Sequence, residues 1–488
     1  MKLNLRTGLN RIKKPMFLAA ILLLLSLSIF WWGPLRVASS AQAHAVFLPT
    51  SVKSGPAGLC RFSVNFLGDE DEFDPRPLRL GWYIDYQADT QPLRPHGLEY
   101  APIIDLRQTG PNATDYVYSP NGQDLLDTIA GNPGAHWLIG NEPDRRYFQN
   151  DMEPHVYAHA YHELYYLIKS EDAAARIIAG NIVQPTDLRI QYLDMILASY
   201  QDQFGEPLPA DGWGAHNFIL NEASCVFYPD NCWGADIPPG IDAPAGELLG
   251  IDDNDDIDRF IARVERMRQW MYDNGYQNTV LFIDEYGVLM PEDLGFPPDR
   301  VNAFMTATFD YLLSAADPAT GNPNDGHRLV QRLSWYSSSD DPFNFNGRIW
   351  NPNTGALTPV GQNYVNYVAP LSGVIDYYPV SITATPVALS PNQPTALTAR
   401  IANQGNLLPT GNLVVQFYNG NPNNGAPQIG GDVSLSAPAG CGETTTAAVT
   451  WNNPTPGAHT IYVRVSAAGG VVESNTGNNV YSQSVVVP

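Results

Sequence analysis

The sequence predicts an α/β protein, a (β/α)8 TIM-type barrel of parallel strands followed by an immunoglobulin-like β-sandwich. Three observations carry that expectation. From about residue 78 to 372, short apolar runs alternate with longer stretches of helical periodicity. Two of those runs end in a glutamate placed just before a residue that stops a strand. From 376 to 488 the helical periodicity disappears, and alternating strands are divided by Asn, Gly and Pro turns.

The totals set the frame. A chain of 488 residues, 44% hydrophobic and 11% aromatic, has material for two or three domains with their own cores. Only 16% of residues are charged and the net charge is −23, so a nucleic-acid surface, which needs concentrated Lys and Arg, is excluded. There is no zinc-type Cys/His spacing and no phosphate-cradling glycine loop, and no metal or organic cofactor is expected.

Residues 1–43 have the layout of a secretory leader. Lys2, Arg6, Arg11, Lys13 and Lys14 precede an uncharged apolar run over 16–32, and Ala41-Gln42-Ala43 offers a small-x-small cleavage site. If the segment stays attached it serves as an N-terminal membrane anchor with its positive end inside. Either way the body is exported, to the cell surface or beyond. Export permits disulfides, and Cys225 and Cys232, close together in a loop-like segment, are expected to pair. No connectivity follows for Cys60 and Cys441.

Residues 44–77 read as an irregular lead-in, and the acidic run 69–72 inside it as a solvated loop. Strands are predicted over 80–86, 100–106, 136–140, 176–182, 212–218, 280–285 and 333–336. That is seven where a barrel needs eight, and 61–66 is the candidate for the missing one. Tyr157, Tyr161, Leu164, Tyr165 and Ile168 mark one helix; Ile257, Phe260, Ile261, Val264, Met267 and Met271 mark another. His155, His159 and His162 on the first helix read as structural, and the acidic run 252–256 as the cap of the second.

The chemistry starts from Glu142 and Glu285. Trp137-Leu138-Ile139-Gly140 runs into Asn141-Glu142-Pro143, where proline cannot continue a sheet. The run 279–283 delivers Asp284-Glu285 ahead of Gly287. Carboxyl groups at the C-terminal ends of barrel strands stand where such barrels hold their reactive groups. Two of them suffice to cleave a glycosidic bond, one protonating the leaving oxygen and one attacking the sugar carbon, with retention when they lie about 5 Å apart.

With these residues in place, 78–370 resembles the clan A glycoside hydrolases, retaining (β/α)8 barrels. Counting strands back from 333–336 as the eighth puts Asn141-Glu142 at the end of the fourth and Glu285 at the end of the seventh. The resemblance implies Glu142 as acid/base, Glu285 as nucleophile, and Asn141 as partner of the sugar 2-hydroxyl. It also implies Trp335 as an aromatic platform, against the competing reading of a plain core tryptophan, and His216 as a polar neighbour of the nucleophile. The family commonly has His-x-Tyr where this chain has His216-Asn217-Phe218, which leaves Tyr286 as the other candidate to orient Glu285. Trp82, with Tyr83, Asp85 and Arg107, is expected along the cleft, and the loop through 233–236 is expected to shape it. The substrate implied is a β-linked polysaccharide or oligosaccharide.

The C-terminal stretch resembles the CARDB adhesion module. The resemblance rests on Ala402-Asn403-Gln404-Gly405, on Glu473-Ser-Asn-Thr-Gly-Asn-Asn479, and on Val/Ile-rich strands at 396–402, 413–418, 447–451 and 460–465. It implies a spacer or surface-attachment role. The competing reading of the whole chain is a non-catalytic carbohydrate-binding surface protein. An esterase or lyase lacks both a Gly-x-Ser-x-Gly elbow and a basic cluster.

Overall fold

The computed structural model describes residues 57–230, 233–339, 345–408 and 411–488. The leader and Cys232 lie outside the described residues. The larger unit holds an eight-stranded sheet in the order β1 (Phe62–Val64), β10 (Arg332–Trp335), β9 (Val280–Tyr286), β8 (Gly212–His216), β7 (Arg176–Ile182), β6 (His136–Ile139), β4 (Ile103–Gln108), β5 (Tyr116–Ser119). Every neighbouring pair is parallel except β4 and β5. A two-stranded parallel sheet pairs β2 (Trp82–Tyr83) with β3 (Glu99–Tyr100). Main-chain bonds from Gly81 N to Phe62 O (3.0 Å) and from Phe66 N to Ile84 O (2.9 Å) join β1 to the β2 segment. The strand 62–64 falls inside the stretch expected to be an irregular lead-in, so the ordered fold begins earlier than 78.

Helices α1 (Gly122–Gly131), α2 (Pro154–Glu171), α3 (Asp187–Phe204), α4 (Ile257–Asp273), α5 (Pro298–Ser314) and α6 (Pro359–Val368) alternate with the parallel strands. Both sequence-marked helices bury the expected face: Tyr157, Tyr161, Leu164 and Ile168 on α2, and Phe260, Val264, Met267 and Met271 on α4. Asp256 caps α4 by accepting from Arg259 N at 3.1 Å. The acidic run is less solvated than its composition predicts. Asp69 is buried and accepts from Ser338 Oγ at 2.7 Å and from Ser339, because the turn after β10 folds back onto it.

Two hydrophobic clusters separate the faces of the strands. One is made of residues on or next to the strands, among them Trp82, Ile84, Ile103, Leu138, Ile178 and Phe282. The other joins the alternate strand positions to the helices. This is the layering expected when strands are covered on both sides.

The C-terminal unit packs the sheet β11 (Tyr377–Thr385), β12 (Thr395–Asn403), β15 (Thr444–Trp451) against β14 (Gln428–Ser436), β13 (Asn412–Asn419), β16 (Gly457–Ala467), β17 (Val480–Val487). All pairs are antiparallel. Leu397, Ala399 and Ile401 of one sheet meet Leu413, Val415, Phe417 and Val463 of the other in one core. That is a β-sandwich.

The sandwich is fastened to the floor of the larger unit, the end where the parallel strands begin. Cys60 and Cys441 form a disulfide. Glu443 reaches His136 Nε2 at 2.9 Å and Arg176 Nε at 3.5 Å, and His136 Nδ1 meets Glu99 at 2.5 Å, which also accepts from Arg332 Nη1 at 2.9 Å. Burial opposes charge on Glu443 and Glu99, yet the neighbouring His136 with Arg176 or Arg332 outweighs it and holds both carboxyls down at about 2. A carboxylate held below its unfolded value of about 4.3 stabilises the fold above that pH and loses the contribution as pH falls through the folded value. His136, raised against the pull of burial, has the opposite sign: its contribution is full below about 6.5 and is lost as pH rises through its folded value. Glu443→Ala is expected to cost about 3 kcal/mol near pH 6, since it strands buried partners. In urea unfolding at stepped pH, the gap from wild type should close towards about pH 2. Equal stabilities at pH 6 would show that the contact contributes nothing.

Candidate active site

The opposite end of the strands gathers the candidate residues. β6 ends at Ile139, and Gly140 follows at φ +82°. Glu142 itself sits at φ +46°, a left-handed conformation that costs a non-glycine residue energy and persists only when its surroundings enforce it. The enforcement is visible. Asn150 Oδ1 accepts from Asn141 N at 2.6 Å, Glu142 N donates to Asn181 O at 3.0 Å, and Asn181 Nδ2 donates back to Gly140 O at 3.1 Å. Glu285 arrives from β9, where a register shift sets it opposite His216 of β8.

His216 is the centre of the constellation. Its Nδ1 lies 3.1 Å from Glu142 Oε1, and its Nε2 lies 3.4 Å from Glu285 Oε1 and 3.7 Å from Asp284 Oδ2. Both glutamates thus reach the same imidazole ring. Arg145 Nη1 donates to Glu142 Oε2 at 2.9 Å. Glu142 and Glu285 are 2% and 5% exposed.

Burial and charge divide the protons unevenly. Burial disfavours charge on His216, but Glu285, Asp284 and Glu142 outweigh it and raise the imidazole to about 10. Burial alone would raise Glu142; Arg145 and His216 instead bring it down to about 2. Burial raises Glu285, His216 pulls it back, and the charges of Glu142 and Asp284 leave it at about 8. Asp284 is raised chiefly by burial. Burial and charge thus favour the resting proton on Glu285 over Glu142, the reverse of the roles implied by resemblance.

Five expected cleft residues stand elsewhere. Trp335 is wholly buried on the helix-facing side of β10, against Phe309 and Tyr286, with Nε1 donating to Gly347 O at 2.7 Å. The alternation of β10 decides this. Arg332 and Ser334 face inward, to Glu99 and to Asn65 Oδ1, so Leu333 and Trp335 must face outward. Tyr286 also packs outward, ring to ring with Phe260 and Trp335, and cannot orient Glu285. Trp82 does face inward, but at the depth of Phe282, with the Arg332 guanidinium 5.7 Å from its ring. Tyr83 lies on the helix side, and so does Asp85, which accepts from Tyr100 Oη at 3.0 Å and is pushed up to about 7 by burial.

The residues that take those places are Tyr86 and Tyr336. Tyr86 is two alternations above Trp82, and burial together with the facing Glu285 carries its phenol well above the usual range. Its hydroxyl and Glu285 Oε1 do not meet in a well-formed hydrogen bond, so the pair is a close approach, not a bond. Tyr336, the inward position after Trp335, sets its ring 5.7 Å from Phe218. Asn141, next to Glu142 in the chain, is 9% exposed.

Residues 221–230 and 233–236 form one wall. Arg145 Nη2 donates to Gly234 O at 3.2 Å. Arg189, fully buried, pairs with Asp144 at 2.6 Å and Glu222 at 2.8 Å while donating to Ala235 O and Asp236 O. Two arginines thereby fasten this loop to the segment carrying Glu142. Cys225 within it is disulfide-bonded, and its expected partner Cys232 lies outside the described residues.

The C-terminal unit has a family. Residues 376–483 match the CARDB family model. This CARDB unit is similar to the CARDB domain of a Pyrococcus furiosus protein solved with di-metal ions, at 21% identity over 24% of this chain and 96% of that one, TM-score 0.20. Across most of the chain there is likeness to a glucosidase from Croceicoccus marinus, at 10% identity over 78% of this chain and 88% of that one, TM-score 0.41. A β-xylosidase from Caulobacter crescentus is similar at 14% identity over 65% and 67%, TM-score 0.31. No curated protein matches the chain.

Proposed function

We propose that residues 78–372, completed by β1, form a closed (β/α)8 barrel that acts as an exported retaining glycoside hydrolase. One observation carries the reading: two buried glutamates from different strand ends face the two nitrogens of one imidazole. The barrel is supported by the main-chain bonds that lead from β1 through the β2 segment to β3, and by the separate inner cluster of strand residues. Export is supported by the Cys60–Cys441 disulfide, which needs an oxidising compartment.

In the first step Glu285 attacks the anomeric carbon while Glu142 protonates the departing oxygen; in the second, Glu142 removes a proton from water, which releases the sugar from Glu285. Asn141 beside Glu142 binds the 2-hydroxyl. Tyr336, in place of Trp335, supplies the aromatic face. The substrate class is a β-linked polysaccharide or oligosaccharide. The CARDB unit, clamped to the floor, leaves the mouth free and suits attachment.

A second reading has an observation of its own. Glu142 is already paired with Arg145, as in a barrel that binds glycan without cleaving it. A screen of residues 44–488 on aryl β-glycosides and a polysaccharide panel, with NMR of the first-formed anomer, separates the two. Turnover with retention is the expected result. Binding without turnover on every sugar would replace the hydrolase with the binder.

A further inference from the structure

Arg145 stands three residues after Glu142 and takes the carboxylate oxygen that chemistry would need. Its Nη1 donates to Oε2 at 2.9 Å, while His216 Nδ1 holds Oε1 at 3.1 Å. Both oxygens of Glu142 thus already accept a charge-assisted hydrogen bond. Glu285 Oε1, by contrast, makes no hydrogen bond. A general acid must present a proton on an open oxygen, and a nucleophile must present charge. The resting geometry reverses both requirements for the roles proposed above.

The charged and titratable groups around Glu142 come from every neighbouring element. Arg145 is on its own loop, His216 on β8, Asp284 and Glu285 on β9, and Tyr86 after β2. Asp144 next to it is already bound to Arg189 of α3. Within this set Arg145 is also tied to the loop at Gly234. Its Nη2 donates to Gly234 O at 3.2 Å, and its Nε makes no hydrogen bond although the residue is buried. Gly234 is at φ +108°, and a Cβ there would lie 2.3 Å from Asn221 O, so this contact requires glycine.

We propose that Arg145 is a positioning residue that decides which of the two glutamates keeps their shared proton, holding the resting site with Glu142 ionised and Glu285 protonated. This deepens the hydrolase reading and rests on it. When a glycan seated beside Gly234 draws the guanidinium from Oε2, one proton leaves the Glu285 carboxyl and one arrives at Glu142 Oε2. The net charge of the site does not change. The site is then in the state that the first step requires.

The test is a carbon-13 NMR titration of the full chain labelled at its glutamate carboxyls, with Glu142→Gln and Glu285→Gln assigning the two resonances. In wild type, Glu142 is expected to titrate below Glu285. In Arg145→Gln, Glu142 should move up past Glu285 so that the order reverses, while Arg145→Lys keeps the wild-type order. The basic limb of kcat/KM reports loss of the shared proton in the free protein, carried by Glu285 in wild type and by Glu142 in Arg145→Gln. An unchanged order in folded Arg145→Gln overturns the proposal. Arg145→Met, which keeps the stem packed, serves if the glutamine form does not fold. If no protein turns over any glycoside, the hydrolase reading fails, and the titration still decides what Arg145 does.

Discussion

Replacing Glu285 by alanine is expected to reduce hydrolysis of an aryl β-glycoside by roughly 10⁴-fold, because the attacking carboxylate is gone. Azide added to this variant should restore release of the aryl group. The anion enters the space that Glu285 vacates, on the face opposite the leaving group, so the product is the α-glycosyl azide. Glu142→Ala should behave differently. With an activated leaving group that needs no proton, the glycosyl-Glu285 intermediate still forms. Azide then attacks from the side of Glu142 and gives the β-glycosyl azide. The anomeric coupling constants read the two outcomes directly. This contrast matters here because the resting site has the proton on Glu285 and the charge on Glu142. Interchanged products would mean that the roles are interchanged too, with Glu142 the nucleophile.

The second large effect concerns the Cys60–Cys441 disulfide. Replacing both cysteines by serine is expected to destabilise the protein by about 3–5 kcal/mol, at the upper end of the usual range. The bond joins residues 381 apart in sequence, so it closes most of the described chain into one loop. In the chain-entropy account, a longer loop removes more freedom from the unfolded state. The native side has independent fastenings that should keep the structure assembled without it. Cys60 N donates to Asn406 O at 2.9 Å, Tyr378 Oη to Pro323 O at 2.5 Å, and Glu443 stays between His136 and Arg176. Calorimetry of the double serine form should therefore show a lower unfolding temperature and unchanged folded-state spectra. An unchanged unfolding temperature would mean that the loop-entropy argument does not apply to this chain.

Local patterns carried much of the reading. Seven parallel-strand segments, two helices and four sandwich strands were legible because side chains alternate with period 2 on a strand and 3.6 on a helix. β1 was legible only as a candidate, since three residues give almost no period to detect. Glu142 and Glu285 stood out because a strand-stopping residue follows each at close range, and that signal is local as well. Arg145 and Asp284 were in view as neighbours of the glutamates, but nothing in their spacing indicated a partner. Tyr86 was within a predicted strand, on the same face as Trp82, and alternation was the signal that could have found it.

Sequence alone thus determined which segments are strands and helices, that two carboxyl-bearing strand ends exist, and that the last hundred or so residues form a separate sandwich of CARDB type. It could not determine which face of a strand looks inward when both faces are apolar. Trp335 and Tyr286 read as well for one side as for the other, and only the inward pairing of Arg332 with Glu99 decided the phase of β10. Nor could it join Cys60 to Cys441 or bring Glu443 to His136, because a contact between distant residues leaves no period in the chain between them. The division of protons between Glu142 and Glu285 belongs to the same class. It follows from the distances of His216, Arg145 and Asp284 in a buried space, and charge interactions depend on separation in space, not along the chain.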